Sequence, residues 1–205
     1  MISVIITCYQ KEEFLKECID SVLFQSYKPN EIILVHDGCE KPLSYKEIDT
    51  IILGENRGIA YARDVGFRYS KGDRILFLDG DDKLNPDFIQ KVSQINADIV
   101  YPDMLMFGVG VKLVKSDHRV IRKKMRIPIS SLMKREVYQE LGGFKDLPVY
   151  EDWDFWIRAS EKFTFKKAET LLWYRQLKDS HVRSTSLKLK REIYEKITKL
   201  PAKSV

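Results

Sequence analysis

Three carboxylates, Asp79, Asp81 and Asp82, follow directly after an apolar run that ends at residue 78. Carboxylates crowded in this way repel one another, and each raises the pKa of its neighbours. A divalent cation removes the repulsion, and Mg²⁺ or Mn²⁺ prefers oxygen ligands, commonly one or two carboxylates together with substrate phosphates. The segment therefore predicts a site for a metal and a phosphate, with a solvated acidic turn as the alternative.

A second pair of carboxylates, Glu151 and Asp152, precedes an aromatic segment that begins at Trp153. An aspartate can act as a general base when it lies within hydrogen-bond reach of a reacting hydroxyl group. The dipole of a helix also favours carboxylates at its amino terminus without any catalytic role. The pair is consistent with either a catalytic base or a favourable helix start.

Other polar residues occur where a nucleotide could bind. Asp37 follows the second apolar run, while Thr7 and Tyr9 flank the end of the first one and could hydrogen-bond to or stack on a base. Gly58 and Arg63 lie at the start of a predicted helix and suit an anionic ligand, through close backbone approach and a cation respectively. A common turn at Asp37, packing at Thr7 and Tyr9, and a surface ion pair at Arg63 are the structural alternatives.

The elements that must position these residues alternate in type. Short apolar runs predict strands, and apolar residues at helical spacing predict helices. The first half predicts strands at 3–8, 31–35, 49–53, 74–78 and 97–101, and helices at 11–25, 59–69 and 86–95. The second half predicts one or two strands at 104–114, helices at 134–141, 153–162 and 187–200, and strand structure at 163–174. An open, mostly parallel α/β sheet of this kind binds ligands beyond the carboxyl ends of its strands.

Composition sets the limits. The 205 residues are 44% hydrophobic and carry a net charge of +5, which suits one compact domain with a real core. The three cysteines (Cys8, Cys18 and Cys39) are odd in number and lack metal-ligand spacing. A disulfide scaffold or a zinc finger is therefore not expected, and reduced thiols in a cytoplasmic setting are the expectation. No apolar stretch approaches the roughly 18 residues of a membrane span.

Residues 111–135 contain nine Lys or Arg and one acidic residue, Asp117. A solvated basic loop and a site for an anionic acceptor or for lipid headgroups both explain this charge. Nucleic acid is not expected as a partner, because no nucleic-acid motif accompanies the charge. The three histidines (His36, His118 and His181) are isolated in the sequence and are expected to be structural or exposed.

In this order, the segments resemble the family 2 glycosyltransferases, which have the GT-A fold. The resemblance covers roughly residues 2–185. The matching segments are 3–10 (SVIITCYQ), 21–26 (SVLFQS), 35–39 (VHDGC), 56–66 (NRGIAYARDVG), 78–82 (LDGDD), 142–144 (GGF) and 151–158 (EDWDFWIR). His36, Cys39 and Asp64 depart from the residues that the family usually carries there, which leaves the base and sugar of the donor open.

The resemblance implies a role for each matched position. The residues that would hold a nucleotide-sugar are Thr7, Tyr9, Asp37, Asn56, Arg63 and Asp81. Asp82, with Asp81, would bind Mn²⁺ or Mg²⁺ on the diphosphate, and Asp152 would be the base of an inverting transfer. The residues that would support the site or the acceptor are Asp79, Glu151, Trp153, Arg175 and His181.

The resemblance also implies an organisation and a setting. One GT-A domain would span 1–205, with a nucleotide-sugar half at 1–100, an acceptor half at 101–185 and a terminal helix or tail at 186–205. The expected donor is a UDP-sugar, and the expected acceptor is a saccharide or a lipid-linked one. A cytoplasmic setting is expected, with peripheral contact at the inner face of a membrane and a homodimer both left open.

Two readings from other classes compete with a transferase. The first is a non-catalytic module of a larger assembly that binds a nucleotide-sugar or a membrane surface. The second is a phosphohydrolase of the haloacid dehalogenase type, because residues 75–81 superficially resemble the aspartyl nucleophile motif of that family. That motif normally follows a first strand, whereas three predicted strands precede it here, so this reading is disfavoured.

Overall fold

The computed structural model describes residues 1–178 and 185–199. Its strands are β1 (Ile2–Cys8), β2 (Glu31–Asp37), β3 (Asp49–Leu53), β4 (Arg74–Asp79), β5 (Lys83–Leu84), β6 (Ile99–Phe107), β7 (Lys112–Val114), β8 (Leu132–Lys134) and β9 (Phe165–Arg175). Its helices are α1 (Glu12–Leu23), α2 (Ile59–Tyr69), α3 (Phe88–Ser93), α4 (Arg135–Leu141), α5 (Glu151–Ala159) and α6 (Leu187–Thr198), with a short 3₁₀ turn at His118–Val120.

The strands of the described chain form one sheet in the order β3-β2-β1-β4-β8-β6-β9-β5, with β7 beside β6. Parallel pairing joins β1 to β2 and β4, β2 to β3, and β6 to β9. The antiparallel β8 lies between β4 and β6, so β6 keeps the direction of β4. The expected α/β class with a mostly parallel sheet is confirmed.

Several predicted elements need correction. The strand predicted at 97–101 continues to Phe107, so the region 104–114 is the end of β6 followed by β7. The helix predicted from residue 153 begins at Glu151, which places Glu151 and Asp152 in its first turn. The sequence pattern missed β5 and β8, because two or three residues are too few to show a period.

Helices cover both faces of the sheet. The alternation of strand residues puts Val4 and Ile6 of β1 into a core with α1 and α3, exemplified by Leu15 and Phe88. Ile5 points to the other face, into a core that includes residues of α2, α4, α5 and α6. The core residues of both layers are almost completely buried. This packing holds the central strands, and therefore the residues at their carboxyl ends, in place. Among the described helices, none is both long and apolar enough to cross a membrane.

Candidate active site

The acidic loop lies across the carboxyl ends of two central strands. Asp79 is the last residue of β4 and is paired in register with Thr7 of β1. The N–H of Gly80 donates to the carbonyl of Thr7 at 2.9 Å, and the N–H of Asp82 donates to the carbonyl of Asp79 at 2.9 Å. A Cβ at residue 80 would lie 3.0 Å from the Thr7 carbonyl oxygen, so a glycine allows this close turn. The loop is therefore anchored to the strand end expected for a ligand site.

Asp82 is the most enclosed carboxylate of the loop, with 1% of its surface exposed. The N–H of Arg175 donates to Asp82 Oδ1 at 2.7 Å, whereas Oδ2 is buried and has no hydrogen-bond partner. Burial, and then the charges of Asp81 and Asp79, hold the pKa of Asp82 well above its ordinary value. Burial and the charge of Asp79 likewise raise the pKa of Asp81 to about 6. Without a counter-charge, this pair is poorly suited to carry two negative charges.

Hard oxygen donors that lack a positive partner are what a divalent cation requires. The unpartnered Oδ2 of Asp82 and the neighbouring carboxylate of Asp81 therefore fit the ion expected from the sequence. Arg175 supports the loop from β9, because its Nε donates to the Asp81 carbonyl at 2.9 Å and its Nη2 donates to Glu17 at 3.0 Å. No sequence pattern indicated that Glu17, on α1, takes part in this support.

Arg63 joins the acidic loop to α5. Its Nη2 donates to Asp79 Oδ1 at 2.8 Å and its Nη1 donates to Glu151 Oε1 at 2.9 Å. The side chain is 3% exposed. Burial alone would lower the pKa of the guanidinium, but Asp79 and Glu151 outweigh it and hold the pKa above its ordinary value. Both ends of the guanidinium are thus paired with carboxylates, so Arg63 is an internal bridge and not an open anion-binding side chain.

Asp152 lies next to this bridge, in the first turn of α5. The preceding residue, Tyr150, has φ 65°, a left-handed conformation that turns the chain into the helix at Glu151. The N–H of Trp153 donates to Asp152 Oδ1 at 2.7 Å. Burial, and then the charge of Glu151, raise the pKa of Asp152 to about 7. A carboxylate with a pKa near the working pH has the property expected of a general base.

Two aromatic residues complete the surroundings of Asp152. Trp153 is buried, and its indole Nε1 donates to the carbonyl of Ile121 at 2.5 Å, so it supports α5 from behind. Tyr174 is on β9 and 36% exposed, and partial burial together with the charges of Asp82, Asp79 and Asp152 raises the pKa of its phenol. The sequence analysis assigned no role to Tyr174, although it directly precedes Arg175.

The residues expected on the nucleotide side form a second group at the end of β2. Asp37 is buried, and its two carboxylate oxygens accept from the N–H groups of Arg57 at 2.8 Å and Gly58 at 3.0 Å. Burial raises its pKa, and these two bonds partly offset the effect. The carboxylate thus shapes the loop before α2, where Asn56 is exposed. Tyr9 is also exposed at the end of β1.

Thr7, in contrast, is buried, and its hydroxyl oxygen has no hydrogen-bond partner. His181 lies outside the described residues. The site therefore consists of a linked set at the ends of β4 and β9 and the start of α5, with the Asp37 loop at the neighbouring strand end. The linked residues are Arg63, Asp79, Asp81, Asp82, Glu151, Asp152 and Arg175.

Ion pairs neutralise part of the basic segment at 111–135. The pairs are Lys115 with Asp103, Arg119 with Asp117, Arg122 with Glu161 and Lys134 with Asp98. Arg135 instead donates to the carbonyls of residues 70 and 72. Lys112, Lys123 and Lys124 are exposed. The ion pairs named here thus involve four of the nine basic residues, and three lysines are directed to solvent.

The chain is similar in sequence to several proteins that are described as glycosyltransferases. The family described as "Glycosyl transferase family 2" matches residues 3–198. The chain is 30% identical over 188 residues to the uncharacterized glycosyltransferase YwdF of Bacillus subtilis, covering 81% of this chain and 70% of that protein. It is 35% identical over 183 residues to the uncharacterized glycosyltransferase EpsJ of the same organism, covering 83% and 51%. With the glycosyltransferase GlyA of Streptococcus pneumoniae it shares 33% identity over 119 residues, covering 52% and 17%.

Solved structures show the same architecture. The crystal structure of residues 1–349 of TarS from S. aureus superposes with a TM-score of 0.75 at 18% identity, covering all of this chain and 66% of that one. The same fragment in complex with UDP-GlcNAc gives a TM-score of 0.76 and 68% coverage of that chain. The chain thus spans only part of the length of these proteins.

Proposed function

The chain belongs to glycosyl transferase family 2 and has the GT-A fold, and we propose that it transfers a sugar from a nucleotide-diphosphate sugar to a hydroxyl group of an acceptor. The observation that carries this proposal is the Arg63 bridge. It places the acidic loop and the start of α5 at one site, through contacts of 2.8 Å to Asp79 and 2.9 Å to Glu151. A transferase needs both parts together, one for the leaving diphosphate and one for the attacking hydroxyl.

We assign the leaving-group side to the acidic loop, with Asp81 and Asp82 holding Mn²⁺ or Mg²⁺. When bound, such an ion would neutralise the charge that develops on the departing diphosphate. The Arg175 N–H holds Asp82 Oδ1, which leaves Oδ2 as the oxygen for the ion. Arg63 takes up the charge of Asp79 and so reduces the repulsion that this residue exerts on its neighbours.

We assign the base to Asp152. Its pKa of about 7 means that a large fraction is ionised at neutral pH and can accept the proton of an acceptor hydroxyl. A base on α5 and a leaving group on the loop after β4 support attack from the face opposite the diphosphate, which inverts the sugar. Glu151 is paired with Arg63, which orients the first turn of the helix. The negative charge of Glu151 contributes to the raised pKa of Asp152.

We propose a UDP-sugar as donor. The support is the structural neighbour TarS, which was crystallised in complex with UDP-GlcNAc and with UDP. Tyr9 and Asn56 are exposed on the loops around Asp37 and are placed to contact the base and the ribose. The buried Thr7 hydroxyl would contribute from beneath, and it has no hydrogen-bond partner to give up.

On the acceptor side, we propose a saccharide or a lipid-linked saccharide. The exposed lysines of the basic segment (Lys112, Lys123 and Lys124) support an anionic acceptor or contact with anionic headgroups. A cytoplasmic enzyme acting at the inner face of a membrane fits this charge. A homodimer stays a proposal without a specific contact to support it.

The experiment that tests the donor site is thermal unfolding with a panel of nucleoside diphosphates and nucleotide-sugars, each with Mn²⁺ and with EDTA. A ligand that binds only the folded protein stabilises it by about 2.7 kcal/mol at a hundredfold excess over its Kd. We expect a shift for UDP and UDP-sugars that requires Mn²⁺, and no such shift for other nucleotides. Absence of a metal-dependent shift across the whole panel would contradict the donor site and favour a non-catalytic module.

A further inference from the structure

Cys8 meets His36 and Cys39, which come from a later part of the sequence, at the end of β1 and β2. Cys8 and His36 are paired in register on these parallel strands, and both are buried. Cys39 follows in the loop after β2 and is half-buried. One ligand atom from each of the three residues lies within 4.8 Å of the others. The cluster borders the acidic loop, since a Cβ at Gly80 would lie 3.3 Å from Cys8 Cβ, but no carboxylate of that loop belongs to it.

The loop after β2 brings Cys39 back over His36. Gly38 has φ +74°, and a Cβ there would lie 2.3 Å from the backbone N of Asn56, so the turn requires a glycine. His36 and Cys39 are then separated by two residues, which is the spacing of ligand pairs in many zinc sites. Cys8 supplies a third ligand from the adjacent strand.

His36 Nε2 contacts both polar backbone atoms of Leu43: it lies 2.7 Å from the carbonyl oxygen and accepts from the N–H at 3.1 Å. The carbonyl contact favours the ring proton on Nε2 and the N–H contact favours it on Nδ1, and a metal bound at Nδ1 would select the first form. Metal-bound histidines commonly donate their second N–H to a backbone carbonyl, which fixes the ring and its tautomer. The lone pair of Nδ1 then faces Cys39 Sγ at 3.1 Å.

The Cys39 thiol lies among several polar groups. Cys39 Sγ lies 3.2 Å from the Cys8 carbonyl as well as 3.1 Å from His36 Nδ1. Burial and a hydrogen bond to the Glu12 carboxylate raise the pKa of this thiol. A thiophilic cation could take the place of the thiol protons and be shared between the sulfur and nitrogen atoms of this cluster.

We propose that Cys8, His36 and Cys39 form a binding site for a thiophilic divalent metal ion, Zn²⁺ in the first place, separate from the metal of the acidic loop. Sulfur ligands about 2.3 Å and a nitrogen about 2.0–2.1 Å from tetrahedral zinc lie roughly 3.5–3.8 Å from one another, so the cluster needs to move by about 1 Å or less. A fourth ligand, such as a water molecule, would complete the four-coordinate set.

Binding has a defined proton balance. A cysteine thiol ordinarily titrates at about pH 8.5, so Cys8 and Cys39 are mostly protonated at neutral pH in the absence of metal. Coordination deprotonates them, and each Zn²⁺ therefore releases two protons while Nδ1 donates as a neutral nitrogen. The bound ion would tie β1 to β2 and to the loop after β2, directly behind Asp37.

The test uses the full chain, reduced with a phosphine and freed of metal, and titrates it with Co²⁺ and then Zn²⁺. We expect thiolate-to-cobalt charge-transfer absorption that saturates at one ion per chain and that Zn²⁺ abolishes. Carboxylate-bound cobalt at the acidic loop lacks this band, so the readout is specific to the thiols. Protons released into a weakly buffered solution give a second measure.

Two variants provide the matched comparison. Cys39→Ser, at a half-buried position, is expected to lose the band and to weaken Zn²⁺ binding by on the order of a hundredfold or more. Cys18→Ser changes the third cysteine, which lies outside the cluster, and is expected to keep both. Circular dichroism establishes that each variant is folded, and Cys39→Ala replaces Cys39→Ser if it is not. The proposal is overturned if the wild-type protein shows no thiolate band, or if the band persists without Cys39.

Discussion

Arg63 Nη1 donates to Glu151 Oε1 at 2.9 Å and so joins α2 to the first turn of α5 across 88 residues of sequence. The other guanidinium nitrogen, Nη2, holds Asp79 at 2.8 Å. One buried cation thus fixes the separation between the acidic loop and the helix that carries Asp152. Asp79 belongs to β4 and Glu151 to α5, so these two carboxylates are on different elements. The geometry of the proposed reaction therefore depends on the bridge that joins them.

Replacement of Arg63 should destabilise the fold. Arg63→Met leaves Asp79 and Glu151 without their buried counter-charge, and breaking a buried pair in this way costs about 3–5 kcal/mol. Urea unfolding measures the loss. Glu151→Gln in the same chain removes one of the two orphaned charges and should restore part of the stability.

The matched control for this prediction is Arg68→Met. Arg68 is an exposed arginine of the same helix, paired with Asp64 at the surface, and such a pair contributes about 0–1 kcal/mol. Equal losses for Arg63→Met and Arg68→Met would show that the bridge is not a structural link.

Asp152→Asn should abolish transfer while retaining the donor site. The amide has the shape of the carboxylate but cannot accept the hydroxyl proton, and loss of a general base costs about a hundred- to ten-thousandfold in rate. UDP release from a UDP-sugar with a panel of saccharide acceptors measures turnover, and thermal shift with UDP and Mn²⁺ measures binding. Asp146→Asn, an exposed carboxylate before α5, is the control expected to leave both unchanged. Full turnover by Asp152→Asn would show that another group is the base.

The same substitution should stabilise the metal-free protein. The pKa of Asp152 is raised to about 7, so the folded state favours the protonated form and ionisation above that pH is a cost. The destabilisation disappears as the pH falls toward the pKa of aspartate in the unfolded chain. The Asp152→Asn variant does not have it at any pH, because its amide does not ionise. We expect Asp152→Asn to gain on the order of 1 kcal/mol at pH 8 and almost nothing at pH 4. A gain of equal size at both pH values in thermal unfolding with EDTA would contradict this origin.

The pH dependence of turnover should follow the ionisation of the base. A group with pKa about 7 is active when deprotonated, so kcat/KM should rise about tenfold per pH unit below 7 and level off above it. The measurement is UDP release at saturating Mn²⁺ between pH 5.5 and about 9, with enzyme stability checked at each pH. A rate that falls as pH rises through this range would exclude Asp152 in the ionised form.

The sequence predicted which edge of the sheet carries the candidate site, but not the contacts between its side chains. Asp79 and Asp82 could be placed because parallel strands bring their carboxyl ends to one edge, and β4 has a clear apolar run. The pairing of Arg63 with Glu151 could not, because periodicity carries no information about contacts between distant elements. The start of α5 was missed by two residues, since the left-handed Tyr150 that turns the chain there has no sequence signal.

The cysteines illustrate the same limit. Their spacing along the chain gave no indication of metal ligands. The proposed ligand set includes His36, which the sequence presents as an isolated histidine. Strand register, which pairs Cys8 with His36, is the information that was lacking.

Asp82→Asn should remove the metal dependence of donor binding. Asp82 Oδ2 is the buried oxygen without a hydrogen-bond partner, and an amide there cannot supply a second anionic ligand to Mn²⁺. UDP affinity with Mn²⁺ should fall to its value in EDTA, as measured by calorimetry. Asp49→Asn, an exposed carboxylate at the start of β3, is the control. If Mn²⁺ strengthens UDP binding equally in Asp82→Asn and wild type, the ion lies elsewhere.

Arg158→Met should weaken the fold without altering the donor site. Arg158 Nε donates to Asp154 Oδ2 at 2.7 Å, and its two other nitrogens donate to the carbonyls of Leu141 at 2.7 Å and Gly143 at 2.9 Å. This side chain ties the end of α4 to α5, and Asp154 is 1% exposed, so its loss leaves a buried carboxylate short of a partner. We expect about 3 kcal/mol of destabilisation in urea, with unchanged UDP affinity in native buffer.

Two further variants separate the charge from the carbonyl contacts. Arg158→Lys keeps the cation beside Asp154 but cannot reach both carbonyls with a fixed fork, so its loss should be intermediate. Lys162→Met removes an exposed pair with Glu140 and should change stability by about 0.5 kcal/mol or less. None of the hydrogen bonds described for Arg158 reaches the acidic loop. Weaker UDP binding by a folded Arg158→Met would mean that the end of α4 affects the donor site. The assignment of Arg158 as a purely structural link would then be wrong.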